Sequence, residues 1–328
     1  MEIKLMKIKY LFIRILEACN AGCWFCGFAR SKDSFRIDLD EYTNIILEAK
    51  AAGVEYIRLT GGETLLHKDI NHLINIAHMN GMRTSIITNG FLLSNKIEEL
   101  SSNGLDQVIV SIDDIPEYHN EVRKLTNLFD RAMDGIKKAK KLGVKVRINT
   151  VCGPHNYKSM PELQKVFTDN KIDYWELSAL KLEEKIIYPE SINEIVNKVY
   201  MDDKKNKKLI PFGKKWCGNT EDEVNLYLQE SIPPRASGKC HMVSYIRYYD
   251  AKNRNLYVCS LLAHRGLSKK YFRNFHDDES FSLRDEETVD IANYFYHNGP
   301  KVCTGCSSTA AGCSDMLSEG KEFYEWMY

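Results

Sequence analysis

The stretch YLFIRILEACNAGCWFC, residues 10–26, decides how this chain is read. Its first part, Leu11 to Glu17, is a mostly apolar, β-rich run of strand length. Directly after it come Cys19, Cys23 and Cys26 in the spacing C-x3-C-x2-C. A strand that runs into such a triplet puts three thiols at its carboxyl end, where α/β barrels assemble their chemistry.

Outward from that stretch, short β-rich runs alternate with amphipathic segments of helical period as far as Leu180. Five more strands are expected at Tyr56 to Leu59, Thr84 to Thr88, Gln107 to Ile112, Lys145 to Val151 and Tyr174 to Ser178. Asp38 and Glu41 make a capping box, and Tyr42, Ile45, Ile46 and Ala49 fall on one face of the helix that follows. Gly53 stops that helix, and Gly81, Gly104 and Gly143 close later ones in the same way. The alternation predicts parallel βα units. Six strands are too few for a closed eight-stranded barrel, so the fold class expected is α/β, a partial (β/α)6 TIM-like barrel.

The chain has 328 residues, and the expected division is a barrel core at 1–182, a linker and helical region at 183–239, and a small C-terminal α+β module at 240–328. The linker holds a basic run, Lys204, Lys205, Lys207 and Lys208, which reads as a solvated surface loop. The last module offers a hairpin, Val243 to Tyr249 and Asn255 to Cys259. With 45 basic against 45 acidic residues the net charge is zero, which argues against a nucleic-acid partner. No apolar run is long enough to span a bilayer, and Met1 to Tyr10 is too charged for a signal peptide, so a cytoplasmic location without membrane contact is expected. Ten cysteines clustered toward both ends then suggest metal coordination instead of disulfides.

Three thiols leave one iron of a [4Fe–4S] cluster open to a small molecule, whereas four would close it. A zinc site or chance spacing is the competing reading of the triplet alone. Further features fall in order along the strands. They are Phe25 before the third cysteine, Gly61-Gly62-Glu63 after the second strand, Thr88-Asn89-Gly90 after the third, Ser111 and Arg123 around and after the fourth, and Asn149 on the fifth. Together with the triplet, this set resembles the radical S-adenosylmethionine (SAM) superfamily.

The resemblance implies that Cys19, Cys23 and Cys26 hold a [4Fe–4S] cluster whose open iron binds SAM. It implies that Phe25 packs near the adenine, that the Gly61, Gly62 and Glu63 edge takes the amino end, and that Asn89 belongs to the cofactor-binding set. It also implies that Ser111 and Arg123 hold the carboxylate and that Asn149 contacts the ribose. Thr64 stands where the family usually has proline. Glycines suit a backbone that must approach a ligand closely.

Strand alternation adds a deduction of its own. If Asn149 faces the barrel interior, Arg147 and Val151 do too. A buried arginine needs an anionic partner, either Glu176 on the sixth strand or a substrate carboxylate. Lys181 and Arg247 are other cations that could hold such a carboxylate.

Cys240, Cys259, Cys303 and Cys306, with Cys313 as a surplus candidate, resemble the ligands of a Twitch domain, the SPASM-like module that fully ligates one auxiliary [4Fe–4S] cluster. A structural zinc is the alternative. Cys217 is a candidate hydrogen donor to a product radical, and Cys152 a weaker one.

Residues 10–26, 147–157 and 175–182 resemble cytosylglucuronate decarboxylases of nucleoside antibiotic pathways. That resemblance implies a radical SAM lyase acting on a small sugar or nucleoside substrate, fed by an electron donor such as flavodoxin or ferredoxin, with Arg147, Glu176 and Cys217 as candidate catalytic residues. A sugar dehydrogenase or epimerase, a radical SAM peptide maturase and a non-catalytic metal-binding module are the competing readings.

Overall fold

In the computed structural model, which describes residues 8–182, 184–203, 215–230, 238–263, 271–303 and 308–321, each of the six expected strands forms. They are β1 (Tyr10–Leu16), β2 (Tyr56–Gly61), β3 (Arg83–Thr88), β4 (Leu105–Ser111), β5 (Lys145–Cys152) and β6 (Tyr174–Ala179). All are parallel neighbours in chain order. Between them run α1 (Leu39–Ala51), α2 (Ile70–Met79), α3 (Leu93–Ser102), α4 (Pro116–Arg123), α5 (Leu128–Lys141) and α6 (Met160–Asp169). The α/β class expected from the alternation is the one observed.

The local reasons are those the sequence carries. The Asp38 carboxylate accepts the Glu41 N–H at 2.7 Å, starting α1, and Tyr42, Ile45, Ile46 and Ala49 are its buried face. Gly53, Gly81 and Gly143 adopt φ of +79°, +83° and +80°, which lets the chain leave each helix at a left-handed residue.

The sheet has two unlike faces. On β5, Val146, Ile148 and Cys152 point into the apolar core shared with the helices. Arg147 and Asn149 lie on the opposite face, and the Arg147 Nε donates to Asn149 Oδ1 at 3.0 Å. The same inner face carries Arg58 and Ser85, whose Nε and hydroxyl are 3.1 Å apart, and Gln107, which accepts from the Arg58 guanidinium at 3.5 Å. The inside of the partial barrel is therefore polar, and its outside is the hydrophobic core.

The barrel does not close, because β1 pairs on its free side with β7 (Ile246–Asp250) and not with β6. β8 (Asn255–Tyr257) and β9 (Arg273–Asn274) then continue antiparallel to give one nine-stranded sheet. The expected hairpin is thus present as β7 and β8, and it is an edge of the barrel sheet. Its first strand starts later than expected, since His241–Ser244 form a 3-10 turn, and the Arg247 guanidinium takes the Val243 and Ile246 carbonyls at 2.6 and 2.8 Å.

The helices α7 (Ser191–Asp202) and α8 (Glu221–Glu230) follow β6 in the chain, and α9 (Ser260–Ala263), α10 (Glu286–Val302) and α11 (Ser308–Ser318) follow β8. The basic run Lys204, Lys205, Lys207 and Lys208 lies outside the described residues. Among the described residues no helix is long and apolar enough to cross a membrane.

Candidate active site

Cys19, Cys23 and Cys26 lie on the loop between β1 and α1, with Cys23 buried and the other two half-buried. The Ala21 N–H donates to the Cys19 sulfur at 3.4 Å. Burial pushes the Cys19 thiol up to about 11, against that N–H, and Glu63 and the other two thiols add to the rise. Burial also raises Cys23, offset by the Arg123 guanidinium. Among the described residues no three His, Cys, Asp or Glu side chains form a group tight enough for a single metal ion. The donor chemistry, three cysteine thiols on one loop, is of the type that would hold a [4Fe–4S] cluster. Metal binding takes up the thiolate form and releases the protons.

The Gly61-Gly62-Glu63 turn does something the sequence did not disclose. A β-carbon on Gly61 would stand 2.3 Å from the Leu16 carbonyl oxygen, and one on Gly62 would stand 2.1 Å from that of Ala18. These glycines let the end of β2 press on the backbone that leads into Cys19, so what they approach is the protein's own chain. Backbone bonds seal the contact, from Gly62 to Leu16 at 3.2 Å and from Glu63 to Ala18 at 2.9 Å.

Glu63 is buried, and its carboxylate accepts from the Thr88 hydroxyl at 2.6 Å, the Asn89 N–H at 2.6 Å and the Leu65 N–H at 3.0 Å. Its pKa is raised by burial despite those donors. With three protein donors on it, Glu63 joins the ends of β2 and β3. Thr64 adds a second staple, donating to the Ile87 carbonyl at 2.7 Å, so it ties the loop as a proline cannot. Asn89 carries the brace to the cysteine loop, its amide donating to Asn20 Oδ1 at 2.8 Å.

Ser111 ends β4, partly buried. Arg123 closes α4 and is buried, with its Nε and Nη2 donating to Asp113 Oδ2 at 3.0 and 2.6 Å. Burial pulls its pKa down, yet Asp113 and the thiols Cys23 and Cys26 carry it above the ordinary value. Its carbonyl accepts the Gly22 N–H at 2.8 Å, which fastens the cysteine loop across the mouth to α4. Arg123 is therefore an ion-paired brace.

Arg147 and Glu176 are ion-paired in the barrel interior, as strand alternation allowed. Arg58 shares that interior, stacked on Phe12 with 5.0 Å from guanidinium carbon to ring centre. Burial lowers its pKa to about 9, helped by Arg147 and opposed by Glu176. The alternative cations lie elsewhere. Lys181 donates to the Tyr227 carbonyl at 2.6 Å, and Arg247 stands level with Leu11, so it shares the outer face with that core residue. Cys217 sits in the left-handed region, φ +64°, within the apolar core and near Cys152, which points outward from β5. Both thiols are buried.

In the second cysteine group the Cys240 and Cys303 sulfurs lie 3.8 and 3.9 Å from where a β-carbon on Gly299 would stand, so α10 brings them to one spot. α11 carries Cys313 to the same region, because the neighbouring Ser314 hydroxyl accepts the His241 N–H at 2.9 Å. Cys259 follows β8, buried. Cys306 lies outside the described residues.

The sequence reading missed Asn20, the Arg58, Ser85, Gln107 line and the pairing of Asp113 with Arg123. A charged residue in the middle of an expected parallel strand, as Arg58 is, was the signal available.

The parallel half-barrel, with a three-cysteine loop locked over its mouth, defines the class. Residues 13–166 match the Radical SAM superfamily, and the chain carries a domain of that superfamily. The superfamily implies a [4Fe–4S] cluster and SAM. Over 216 residues, 63% of its length, the chain is 32% identical to a GTP 3',8-cyclase of Clostridium perfringens (strain 13 / Type A), of which the match covers 66%. It spans about half the length of the other curated cyclases it matches. In fold it is similar to Streptococcus suis SuiB bound to S-adenosylmethionine, with a TM-score of 0.64 at 18% identity over 93% of this chain and 72% of SuiB. It is also similar to BtrN in complex with AdoMet and 2-DOIA, with a TM-score of 0.51 at 15% identity over 94% of each chain.

Proposed function

We propose that this protein is a radical SAM enzyme acting on a small nucleoside or nucleoside-sugar substrate. The observation that carries the reading is the three-cysteine loop fastened to the ends of β2, β3 and α4 through Gly62, Asn89 and Arg123. A cluster held by Cys19, Cys23 and Cys26 supplies, with SAM bound, reductive cleavage to methionine and a 5′-deoxyadenosyl radical that removes hydrogen from the substrate.

The chain's own residues bind and exclude. Phe25, partly buried beside the third cysteine, is the adenine neighbour, and Ser111 and Asn149 present polar groups at the ends of β4 and β5 for the methionine and ribose parts. Arg147, Glu176 and Arg58 make the interior a charged floor suited to a polar, ionised substrate and hostile to an apolar one. The Cys240, Cys259, Cys303 and Cys313 group, with Cys306, is assigned to an auxiliary [4Fe–4S] cluster in a Twitch-like module, and an electron donor such as flavodoxin or ferredoxin serves the enzyme.

The favoured reaction is decarboxylation of a cytosylglucuronate-like uronic acid. The second reading, cyclisation of GTP, is favoured by the identity to the clostridial cyclase. The deciding experiment is anaerobic turnover of the reconstituted enzyme with SAM and dithionite, supplied with cytosylglucuronate or GTP in parallel, with 5′-deoxyadenosine and substrate mass followed together. Loss of carbon dioxide from the first or an isomeric product from the second decides between them. An absence of 5′-deoxyadenosine in both, with the cluster intact, overturns the proposal.

A further inference from the structure

Trp24 sits inside the cysteine triplet, between Cys23 and Phe25, and 47% of it is exposed. Large aromatics usually bury most of their area, and a tryptophan held in the open on a rigid loop is a feature with a cost. It is held at both ends. Its ring meets Phe25 edge-on, with centroids 5.4 Å apart and planes at 85°, and meets His155 in the same manner at 5.6 Å and 83°.

His155 belongs to the loop after β5, while Trp24 belongs to the loop after β1, and three strands separate the two in the sheet. The contact therefore spans the mouth of the half-barrel. The His155 side is rigid as well. The neighbouring Asn156 is buried, and its amide donates to the Asp113 and Val151 carbonyls at 2.6 and 2.9 Å while its oxygen accepts the Gly153 N–H at 2.8 Å. On the other side, the Gly22 bond to Arg123 fixes the backbone two residues before Trp24.

From this geometry we infer that Trp24, braced by His155, is a stacking platform for the base of the substrate. The inference rests on the nucleoside reading above and deepens it. Both substrate candidates, a cytosyl sugar and GTP, carry a planar base joined to the sugar that is to react. A base laid on an exposed indole at the rim leaves its sugar directed toward the interior lined by Asn149, Arg147 and Glu176. Trp24 is thus a specificity-determining residue that reads the flat face of a base, which every base has. His155 is its positioning residue.

The test uses the reconstituted holoenzyme with SAM and measures cytidine binding by equilibrium dialysis, with free glucuronate as the control that has no base. Cytidine should bind wild type and Trp24→Phe, and about tenfold or more weaker to Trp24→Leu, in line with the stacking free energy lost per base. Glucuronate affinity should be alike in all three. Cluster absorbance of each variant shows that the loop still folds. Independently of any variant, photo-crosslinking of 4-thiouridine to the wild-type holoenzyme should label the peptide that holds Trp24 or the one that holds His155. Unchanged cytidine affinity in Trp24→Leu, or labelling confined to other peptides, overturns the inference. Because neither readout needs turnover, this failure is distinct from failure of the enzymatic reading, which 5′-deoxyadenosine formation reports.

Discussion

Arg147 on β5 and Glu176 on β6 are ion-paired although they are not level in the sheet: Arg147 stands opposite Tyr174, and Glu176 opposite Asn149. The pair slants upward across the two strands, toward the end that carries the cysteine loop. Both residues are nearly buried, so each charge depends on the other. Removing one partner of a buried pair typically costs about 3 to 5 kcal/mol, more than the pair itself contributes. Arg147→Gln should therefore destabilise the protein by about 3 kcal/mol in urea unfolding. The double variant Arg147→Gln/Glu176→Gln should recover most of that loss. A double variant as unstable as the single one would mean that Arg147 acts through other contacts.

How much of this was legible in the sequence follows from which forces act locally. The six strands and the buried face of α1 were readable, because period and capping are set by neighbours in sequence. The Arg147, Asn149 and Val151 face was readable for the same reason, and it gave Glu176 as a candidate partner. What could not be read was contact across the mouth. Arg123 belonging to Asp113, Asn89 reaching Asn20, and Gly62 pressing on Ala18 depend on loops that meet only after the sheet has twisted into a half-barrel. The parallel pairing of β7 with β1 was hidden too, since a hairpin pattern fixes its own turn and not the strand it docks against. The three donors on Glu63, from Thr88, Asn89 and Leu65, belong to the same class, since two of them come from the end of β3.

A pH dependence follows from His119. It is fully buried on α4, and its Nδ1 accepts the Asp113 N–H at 3.2 Å, a bond that the neutral ring can make and the doubly protonated ring cannot. Burial, reinforced by Arg123, lowers its pKa from 6.5 to about 3. The folded pKa lies below the unfolded one, so the unfolded chain takes up the proton first and stability falls as pH drops below 6.5. Between pH 7.5 and pH 5 this group alone should remove about 2 kcal/mol. Urea melts at the two pH values should show that loss in wild type, and His119→Gln should flatten it. An equal loss in His119→Gln would place the acid sensitivity elsewhere.

The cysteines around Gly299 allow an assay by metal content. Two four-iron clusters give about eight irons per reconstituted chain, and one gives about four. Cys303→Ala should leave about four, with 5′-deoxyadenosine formation from SAM still detectable. Gly299→Ala places a methyl group against the Cys240 β-carbon at 3.0 Å, so it should lower iron content in the same direction and by less. Full iron content in Cys303→Ala would remove that thiol from the ligand set.

Gly62 gives the sharpest contrast between positions that look alike in sequence. A β-carbon there meets the Ala18 carbonyl oxygen at 2.1 Å and the Glu17 carbonyl oxygen at 2.5 Å, both backbone atoms that cannot rotate away. At Gly27, one residue past the triplet, a β-carbon meets nothing within 4 Å. Gly62→Ala must therefore push the chain leading into Cys19 off the end of β2, and with it the donor that Glu63 supplies to Ala18. Overpacking of this kind costs about 1 to 3 kcal/mol. The larger effect should be on chemistry, because the displaced segment sets where the first thiol stands. We expect Gly62→Ala to lose at least about tenfold in the rate of 5′-deoxyadenosine formation, since displacing reacting groups by about 1 Å can cost on the order of a hundredfold. Gly27→Ala should stay within about twofold of wild type, because a methyl group added in open space disturbs no packing. If both variants lose activity equally, the loop is intolerant of substitution in general, and the Gly62 contact with Ala18 has no special part in placing Cys19.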